Sequence, residues 1–213
     1  MKLKKKVAID ASRCRSGGAI VHFKNVFYYN NKKSTDLDYL CWVSEECYEN
    51  SYKEKFKLLR KIRKKPIIFE ILWQSIFLNF LLKYHKIDLL ITIDSASVCF
   101  FKPQISINQD LLPFEVFLEA LKKFSLKDKL RIIFVRFISL INIRNAKCVI
   151  FQTKHAKNLI SNKTNLKGNC YIIPHACDDI YFKVNQPINL LDDRNTIVIT
   201  YVSNFIFYKN HKE

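Results

Sequence analysis

Glycine is scarce in this chain of 213 residues, which contains only three. Two of them are neighbours, Gly17 and Gly18, and the G-x-G-x-x-G fingerprint of dinucleotide-binding folds is absent. The seven cysteines are scattered and include no C-x-x-C pair, which excludes the usual spacing of a zinc site. Their odd number does not fit a disulfide framework either. We therefore expect reduced, buried thiols in a cytoplasmic protein.

Long hydrophobic runs are also few. The start of the chain, MKLKKKVAID, is basic, but its apolar part is short and meets Asp10, which predicts a first strand and not a signal peptide. The most apolar stretch, residues 67–83, is too short to span a bilayer and contains Glu70, Gln74 and Asn79. We expect a helix packed on a sheet there, with one face on a membrane as the open alternative. Repeats and low-complexity segments are absent.

Acidic residues are outnumbered by basic ones. Lys and Arg total 36 against 19 Asp and Glu, and the formal net charge of +17 favours a polyanionic partner: nucleic acid, an anionic membrane or a phosphorylated substrate. The abundance of lysine, isoleucine and asparagine also fits an AT-rich genome, which is a second explanation of the charge. With 49% apolar residues the chain is not disordered, and its length allows one good-sized domain or slightly more.

A strand, a glycine turn and a helix are predicted near the start, in VAIDASRCRSGGAIVHFKNVF at residues 7–27. An apolar run ends at Ile9, the Gly-Gly pair follows, and Ile20, Phe23 and Phe27 then have helical spacing. The free N–H groups and positive dipole end of such a helix suit an anion, typically a phosphate. A tight turn that needs positive φ is the alternative.

Apolar, β-forming runs alternate with helical patterns along the rest of the chain. Further strands are predicted at residues 38–44, 56–62, 87–93, 104–108, 147–152 and 170–173. Helices are predicted at residues 45–54, 67–83, 116–144 with a break allowed near Ser125, and 153–161 with Thr153 as its N-cap. This alternation, with continuous apolar strands, predicts an α/β fold with a doubly wound, parallel, Rossmann-like sheet and right-handed crossovers.

Polar residues follow two of the central strands. Residues 94–97 come after one strand, and Gln109 and Asp110 follow Asn108 at the end of the next. Because open α/β sheets bind ligands beyond the carboxyl ends of their strands, we expect these loops to form site walls. Asp110 is a candidate to orient or deprotonate a hydroxyl group. The alternative is an N-cap or Asx-turn before Pro113.

Four stretches, in this order, resemble the N-terminal half of glycosyltransferase family 4, the retaining sugar-nucleotide enzymes with the GT-B fold. They are DASRCRSGGAIVHF, INQDLLPFE, FQTKHAKNLI, and IIPHACDDIYF followed by ITYVSNFIFYKNHKE. The resemblance covers essentially the whole chain. It implies an enzyme with a cleft between two Rossmann-like halves, in which the N-terminal half binds the acceptor and the C-terminal half binds the nucleotide sugar.

The resemblance also implies roles for individual residues. Those on the donor phosphates would be Gly17, Gly18 and Lys209, and those on the acceptor side would be Asn108, Gln109, Lys154 and His155. His175, in the IPH segment, would join Asp110 as a catalytic candidate that contacts donor or acceptor. The alternatives are a structural histidine at 175 and a solvated first helical turn at 154–155. His22, near the apolar face of the first helix, is expected to be structural.

By the same resemblance, residues 1–182 would be the acceptor-side domain, 183–195 a linker, and 196–213 the first strand and loop of a missing C-terminal nucleotide-sugar domain. We expect a fragment of a retaining glycosyltransferase, inactive alone, that moves a sugar from a nucleotide-sugar donor to a cell-surface glycan or glycolipid acceptor. We expect no cofactor and no metal, because enzymes of this kind need none and no carboxylate pair is clustered in the sequence.

The expected location is the cytoplasm, with peripheral attachment to the cytoplasmic face of the inner membrane. The basic, apolar stretch at residues 131–144 would contact anionic lipid. Nucleic acid is not expected as a partner, because basic and aromatic residues do not interleave. The alternative function is a non-catalytic basic domain that binds an anionic membrane surface or nucleic acid.

Overall fold

The computed structural model describes residues 4–15, 18–23, 37–48, 58–62, 67–115 and 124–175. All of them belong to the first of two units into which the chain divides, residues 1–176 and 177–213. Gly17, Lys209, the expected linker and the expected final strand lie outside the described residues.

Within this part of the chain, seven strands form one sheet in which every neighbouring pair is parallel. They are β1 (Lys5–Ala11), β2 (Leu37–Ser44), β3 (Leu58–Ile62), β4 (Leu89–Thr92), β5 (Gln104–Asn108), β6 (Cys148–Phe151) and β7 (Asn169–Ile172). The order β3-β2-β1-β4-β5-β6-β7 confirms the predicted Rossmann-like sheet. Its direction of growth reverses between β1 and β4, which makes that position the topological switch point.

Helices cover both faces of the sheet. They are α1 (residues 18–23), α2 (residues 67–84), α3 (Leu112–Glu115), α4 (Leu126–Asn145) and α5 (Lys154–Ser161). Phe23 of α1 packs with Ile9 and Cys41 on one face. The other face packs against α2 through Leu78, and against α3, α4 and α5 through a cluster around Val149. In the described residues no helix is long and apolar enough to cross a bilayer.

Helix α2 is continuous but not uniform. Its middle, Trp73–Leu78, is π-helical, between α-helical segments Ile67–Leu72 and Asn79–Tyr84. The Asn79 side chain donates to the backbone oxygens of Gln74 (3.2 Å) and Ser75 (2.8 Å), so it satisfies carbonyl groups inside the widened turns. The predicted helix is therefore confirmed, and the π segment within it was not predicted.

The expected helix at 45–54 differs from the structure. It starts as a turn at residues 45–47, because the Ser44 hydroxyl accepts the Cys47 N–H (3.2 Å) and closes the chain locally; residues 49–57 are not described. In the stretch 116–144, residues 116–123 are not described, and α4 begins after Ser125, which caps it by accepting the Asp128 N–H (3.2 Å). The allowed break near Ser125 is therefore confirmed.

Four of the six described cysteines take up core positions, as expected, and Cys148 and Cys170 are half-buried. No disulfide joins the six that are described, and Cys14, Cys41, Cys47 and Cys99 are buried. Burial raises the pKa of the Cys99 thiol to about 12 and that of Cys41 well above its ordinary value. These side chains are protonated, apolar packing groups at neutral pH, and not nucleophiles.

The two sides of α2 predict a sharp contrast between neighbouring substitutions. Leu78→Ala removes a fully buried side chain and leaves a cavity, so we expect the free energy of unfolding to fall by about 2–5 kcal/mol. Phe80 is 66% exposed, so Phe80→Ala should change the free energy of unfolding by less than about 0.5 kcal/mol. Urea denaturation of the two variants measures both values, and equal losses would contradict the packing of α2.

Candidate functional site

The carboxyl ends of β1, β4, β5 and β6 lie side by side, and we call this line of strand ends the carboxyl edge. Polar side chains stand at or just beyond each of these ends: Asp10, Asp94, Asn108 and Gln152. The sheet topology confirms that the loops after these strands share one edge. The edge includes the switch point between β1 and β4, where open α/β sheets bind ligands.

Asp10 is a buried clamp beneath this edge. Its Oδ1 accepts the Ser12 N–H (3.1 Å) and the Ser12 hydroxyl (2.7 Å), and its Oδ2 accepts an amide hydrogen of Gln74 (2.9 Å). Gln74 Oε1 in turn accepts the Val98 N–H (3.3 Å). Burial raises the pKa of Asp10, while the hydrogen bonds from Ser12 and Gln74 and the charge of Arg13 oppose that rise. The contact joins β1, α2 and the loop after β4, so Asp10 positions the edge from below.

An ion pair crosses the switch point itself. Arg13 Nε lies 3.4 Å from Asp94 Oδ2, and the same guanidinium donates to the Ala96 oxygen (2.8 Å). Asp94 also accepts the Ala96 N–H (2.9 Å), which fixes its loop. Two residues further along the loop after β1, Arg15 forms an ion pair with Glu70 of α2. Both arginines therefore hold the loop after β1 against the rest of the edge.

Gly18 is the first described residue of α1, and a Cβ placed on it would meet no atom within 4 Å. The space beside this helix start is therefore open, and close backbone packing does not explain the glycine. Gly17 and Lys209 lie outside the described residues. The assignment of Gly17, Gly18 and Lys209 to the donor phosphates stays a prediction.

Asn108 sits at the end of β5 in a buried polar network. Its Nδ2 donates to the Ser95 hydroxyl (3.1 Å), and Ser95 Oγ lies 3.4 Å from the Ser139 hydroxyl of α4. Asn142 of α4 donates to the Ser95 backbone oxygen (2.9 Å). The network fixes the loop after β4 between β5 and α4, and it determines the orientation of the Asn108 amide.

Asp110 combines a structural contact with an exposed position. Its Oδ1 accepts the Leu112 N–H (2.9 Å) at the start of α3, which is the Asx-type contact named as its alternative role. Loss of solvent around the carboxyl raises the pKa of Asp110; the charge of Asp94 adds to the rise, and the Leu112 N–H and Arg131 oppose it. A carboxylate with a raised pKa is a stronger base than an ordinary carboxylate, so it takes up a proton more readily at neutral pH.

Lys154 and His155 lie in the exposed first turn of α5. His155 Nε2 is 2.8 Å from Glu115 Oε1, so it joins α5 to the end of α3. Thr153 caps the helix by accepting the Ala156 N–H (3.0 Å), as predicted. Asn108 ends β5, and Lys154 and His155 follow β6, so these acceptor-side candidates lie at the ends of neighbouring strands.

His175 contacts His22, although 153 positions separate them in the chain. Their Nδ1 atoms are 3.1 Å apart, and the rings meet edge to face with centroids 4.8 Å apart. Burial lowers the pKa of His22, and the neighbouring His175 ring lowers it further. His22 was expected to be structural, and its pairing with a catalytic candidate was not foreseen, because no local pattern joins the two.

Three amide atoms at the ends of β5 and β6 have no hydrogen-bond partner: Asn108 Oδ1, Gln109 Nε2 and Gln152 Nε2. Unpaired atoms also occur elsewhere: His22 Nε2 on α1, Gln104 Oε1 at the start of β5, and the indole nitrogens of Trp42 and Trp73. Each unpaired buried polar atom costs about 1–3 kcal/mol. The sequence analysis did not single out Gln152, although its position directly after an apolar strand is the same signal that identified Gln109.

Metal ligands are not grouped at this edge. In the described ranges, no set of three or more His, Cys, Asp or Glu side chains is placed to hold a metal ion. The titratable groups at the edge include the Arg13–Asp94 and Arg15–Glu70 pairs, Asp110, and His155 with Glu115. The chemistry available from these residues is hydrogen bonding, charge stabilisation and proton transfer.

The Asp10 clamp gives a test with a definite pH dependence. Gln74→Leu removes the donor to the Asp10 carboxylate and the acceptor of the Val98 N–H, and we expect the free energy of unfolding to fall by about 2–4 kcal/mol at neutral pH. Burial raises the pKa of Asp10 above its ordinary 3.8, so its contribution to stability is greatest at acid pH and falls as the pH rises through the folded-state pKa. The variant loses a bond to the charged form, so its deficit should shrink in acid.

Denaturant titrations from acid to neutral pH measure this deficit. Ile76→Gln on the same helix is the control, because Ile76 is 57% exposed and should change stability by less than about 0.5 kcal/mol. A Gln74→Leu deficit that is constant across the pH range would contradict the role given to Asp10.

Comparison with known proteins adds no relative. No family model matches this sequence, and no curated protein matches it. The assignment to glycosyltransferase family 4 therefore stays a prediction that rests on the sequence motifs.

Proposed function

We propose that this chain is the acceptor-side half of a retaining glycosyltransferase, with the carboxyl edge as one wall of the cleft. The observation that supports this most directly is the group of unpaired amide atoms on Asn108, Gln109 and Gln152. One of them accepts hydrogen bonds and two donate. A sugar hydroxyl both donates and accepts, so it suits unpaired atoms of both kinds. All three atoms are buried, so the pairing requires their side chains or the adjoining loops to open toward the ligand.

Asp110 is the residue that would act on the acceptor hydroxyl. The Leu112 N–H holds one carboxylate oxygen, which fixes the direction of the group. The acceptor oxygen forms a bond to the donor's anomeric carbon while the bond from that carbon to the phosphate oxygen breaks. The hydroxyl proton passes to Asp110, and the nucleoside diphosphate leaves with the bonding electron pair.

The leaving diphosphate gains negative charge, so positively charged or N–H groups are needed beside it. Arg13 at the switch point and the open start of α1 at Gly18 are the groups of the right kind. Gly17 and Lys209 remain part of this proposal on the strength of the resemblance. The nucleotide sugar itself would bind mainly to a C-terminal domain, and the reaction would take place at the cytoplasmic face of the membrane.

The test is direct sugar binding by the full chain. On an array of oligosaccharides and lipid-linked oligosaccharides, we expect selective binding that falls about tenfold in Asn108→Ala and in Gln152→Ala, because each removes one hydrogen bond to a hydroxyl. Asn158→Ala, at an exposed position of α5, is the matched control and should bind as the wild type does. Absence of sugar binding in the wild type, or equal binding by all variants, would overturn the proposal.

Asp110 allows its two roles to be separated. Asp110→Asn keeps an oxygen for the Leu112 N–H but loses the charge, so we expect an unfolding free energy within about 0.5 kcal/mol of the wild type and acceptor binding weakened about tenfold. Asp110→Ala should lose about 1 kcal/mol of stability as well. Thermal unfolding and acceptor titration of both variants measure this. Unchanged acceptor binding by Asp110→Asn would leave Asp110 a structural residue.

A further inference from the structure

Two helices on the same face of the sheet turn apolar side chains to solvent. On α2 they include Ile68, Phe69 and Phe80, at 60–66% exposure. On α4 they include Leu126, Leu130 and Phe137, at 61–73% exposure. We call the outward sides of residues 68–84 and 126–137, together with Phe100, the two-helix surface.

Both helices contact one shared loop. Cys99, in the connection from β4 to β5, contacts Asn79 of α2 through its sulfur (3.5 Å). In the same connection, the Ser95 oxygen accepts a hydrogen bond from Asn142 of α4 (2.9 Å). Phe100, also in this loop, is 62% exposed. Large exposed apolar areas on a folded protein mark interaction sites.

Positive charges outnumber negative ones around this surface. The only acidic residues in α2 and α4 are Glu70 and Asp128. Glu70 pairs with Arg15, and Asp128 accepts the Ser125 hydroxyl at the helix cap (2.6 Å). Lys127 and Arg131 of α4 are exposed, as are Lys83 at the end of α2 and Lys102 in the loop before β5.

We propose that the two-helix surface docks on an anionic lipid bilayer. Its phenylalanine and leucine side chains enter the boundary between headgroups and acyl chains, and its lysine and arginine side chains bind the headgroups. Beside Phe100 there is also a cavity of about 280 Å³, lined by Ile138, Ile141 and Lys102 among others, where an apolar chain fits beneath a cationic group. Charge complementarity is the reason for choosing a bilayer over a second copy of this basic chain, which would bring like charges together.

Docking in this way also orients the molecule. Both helices follow strand ends on the carboxyl edge, so their first turns, with Phe69 and Leu126, lie toward that edge. A bilayer in contact with them has the candidate site close to its surface, where the sugar of a lipid-linked acceptor is found. This last step rests on the proposed function, whereas the docking itself does not.

The test uses the full chain and two kinds of vesicle, phosphatidylcholine alone and phosphatidylcholine mixed with phosphatidylglycerol. We expect co-sedimentation only with the second kind, falling as salt is raised. Phe80→Ser combined with Phe137→Ser should weaken vesicle binding about tenfold or more, because both exposed rings leave the lipid. Tyr171→Ser is the matched control: Tyr171 is 54% exposed, and strand alternation from Cys170 places it on the opposite face.

A charge pair of variants completes the design. Lys127→Glu combined with Arg131→Glu should also weaken binding about tenfold or more. Lys5→Glu, exposed on β1 and on the opposite face from α2, should leave it unchanged. Circular dichroism verifies that each variant is folded.

Two results would overturn the docking proposal. One is equal or absent binding to both kinds of vesicle. The other is a dimer in analytical ultracentrifugation that Phe80→Ser and Phe137→Ser abolish while vesicle binding is unchanged, since a second copy would then occupy the surface. Vesicle binding without any oligosaccharide binding would support docking and count against the proposed function, so the two failures are distinguishable.

Discussion

A parallel sheet must bury both of its faces, and the central strand β1 shows how strongly this constraint acts here. Ala8 and Ile9 point to opposite faces and both are fully buried. Each strand next to β1 can be reached only by a crossover that covers a face, and right-handed crossovers place α1 on one face and α2 on the other. The switch point between β1 and β4 follows from this. Loops leave on opposite faces there, and the ion pair of Arg13 with Asp94 joins them.

Helix α2 meets two opposing demands because of its position over β1. Its inner side must satisfy the buried Asp10, and Gln74 does this with one amide while also holding the loop after β4. Its outer side faces solvent with Ile76, Phe77 and Phe80. A buried carboxylate without a donor is costly, so the inner contact constrains the helix more than its outer face does. The π-helical turns lie at the residues that make this contact, and π segments of this kind occur frequently at functional sites.

The features that depend on local sequence pattern could be predicted from the sequence. Apolar and β-forming runs located all the described strands, β5 to the residue, and Thr153 identified the start of α5, because capping is decided within one turn. Polar residues were also expected just after the strand that ends at Asn108, where Asp110 lies; the part of Asp110 in a site stays a prediction. The sequence did not predict the π segment, since a period of 3.6 describes only regular helices. It also missed the contacts of Asp10 with Gln74 and of His22 with His175, because these pairs meet only after the chain has folded.

The net charge of +17 is compatible with several anionic partners, and the distribution of apolar exposure is what distinguishes them. Charges more than about 10 Å from a partner surface are largely screened at physiological salt. A dispersed charge therefore contributes to binding only where something else holds the surface close. In the docking that we propose, the two-helix surface would provide that contact, with Lys127 and Arg131 beside the exposed leucine and phenylalanine side chains of α4. The same docking would bring the carboxyl edge, with Asn108 and Gln152, toward the bilayer.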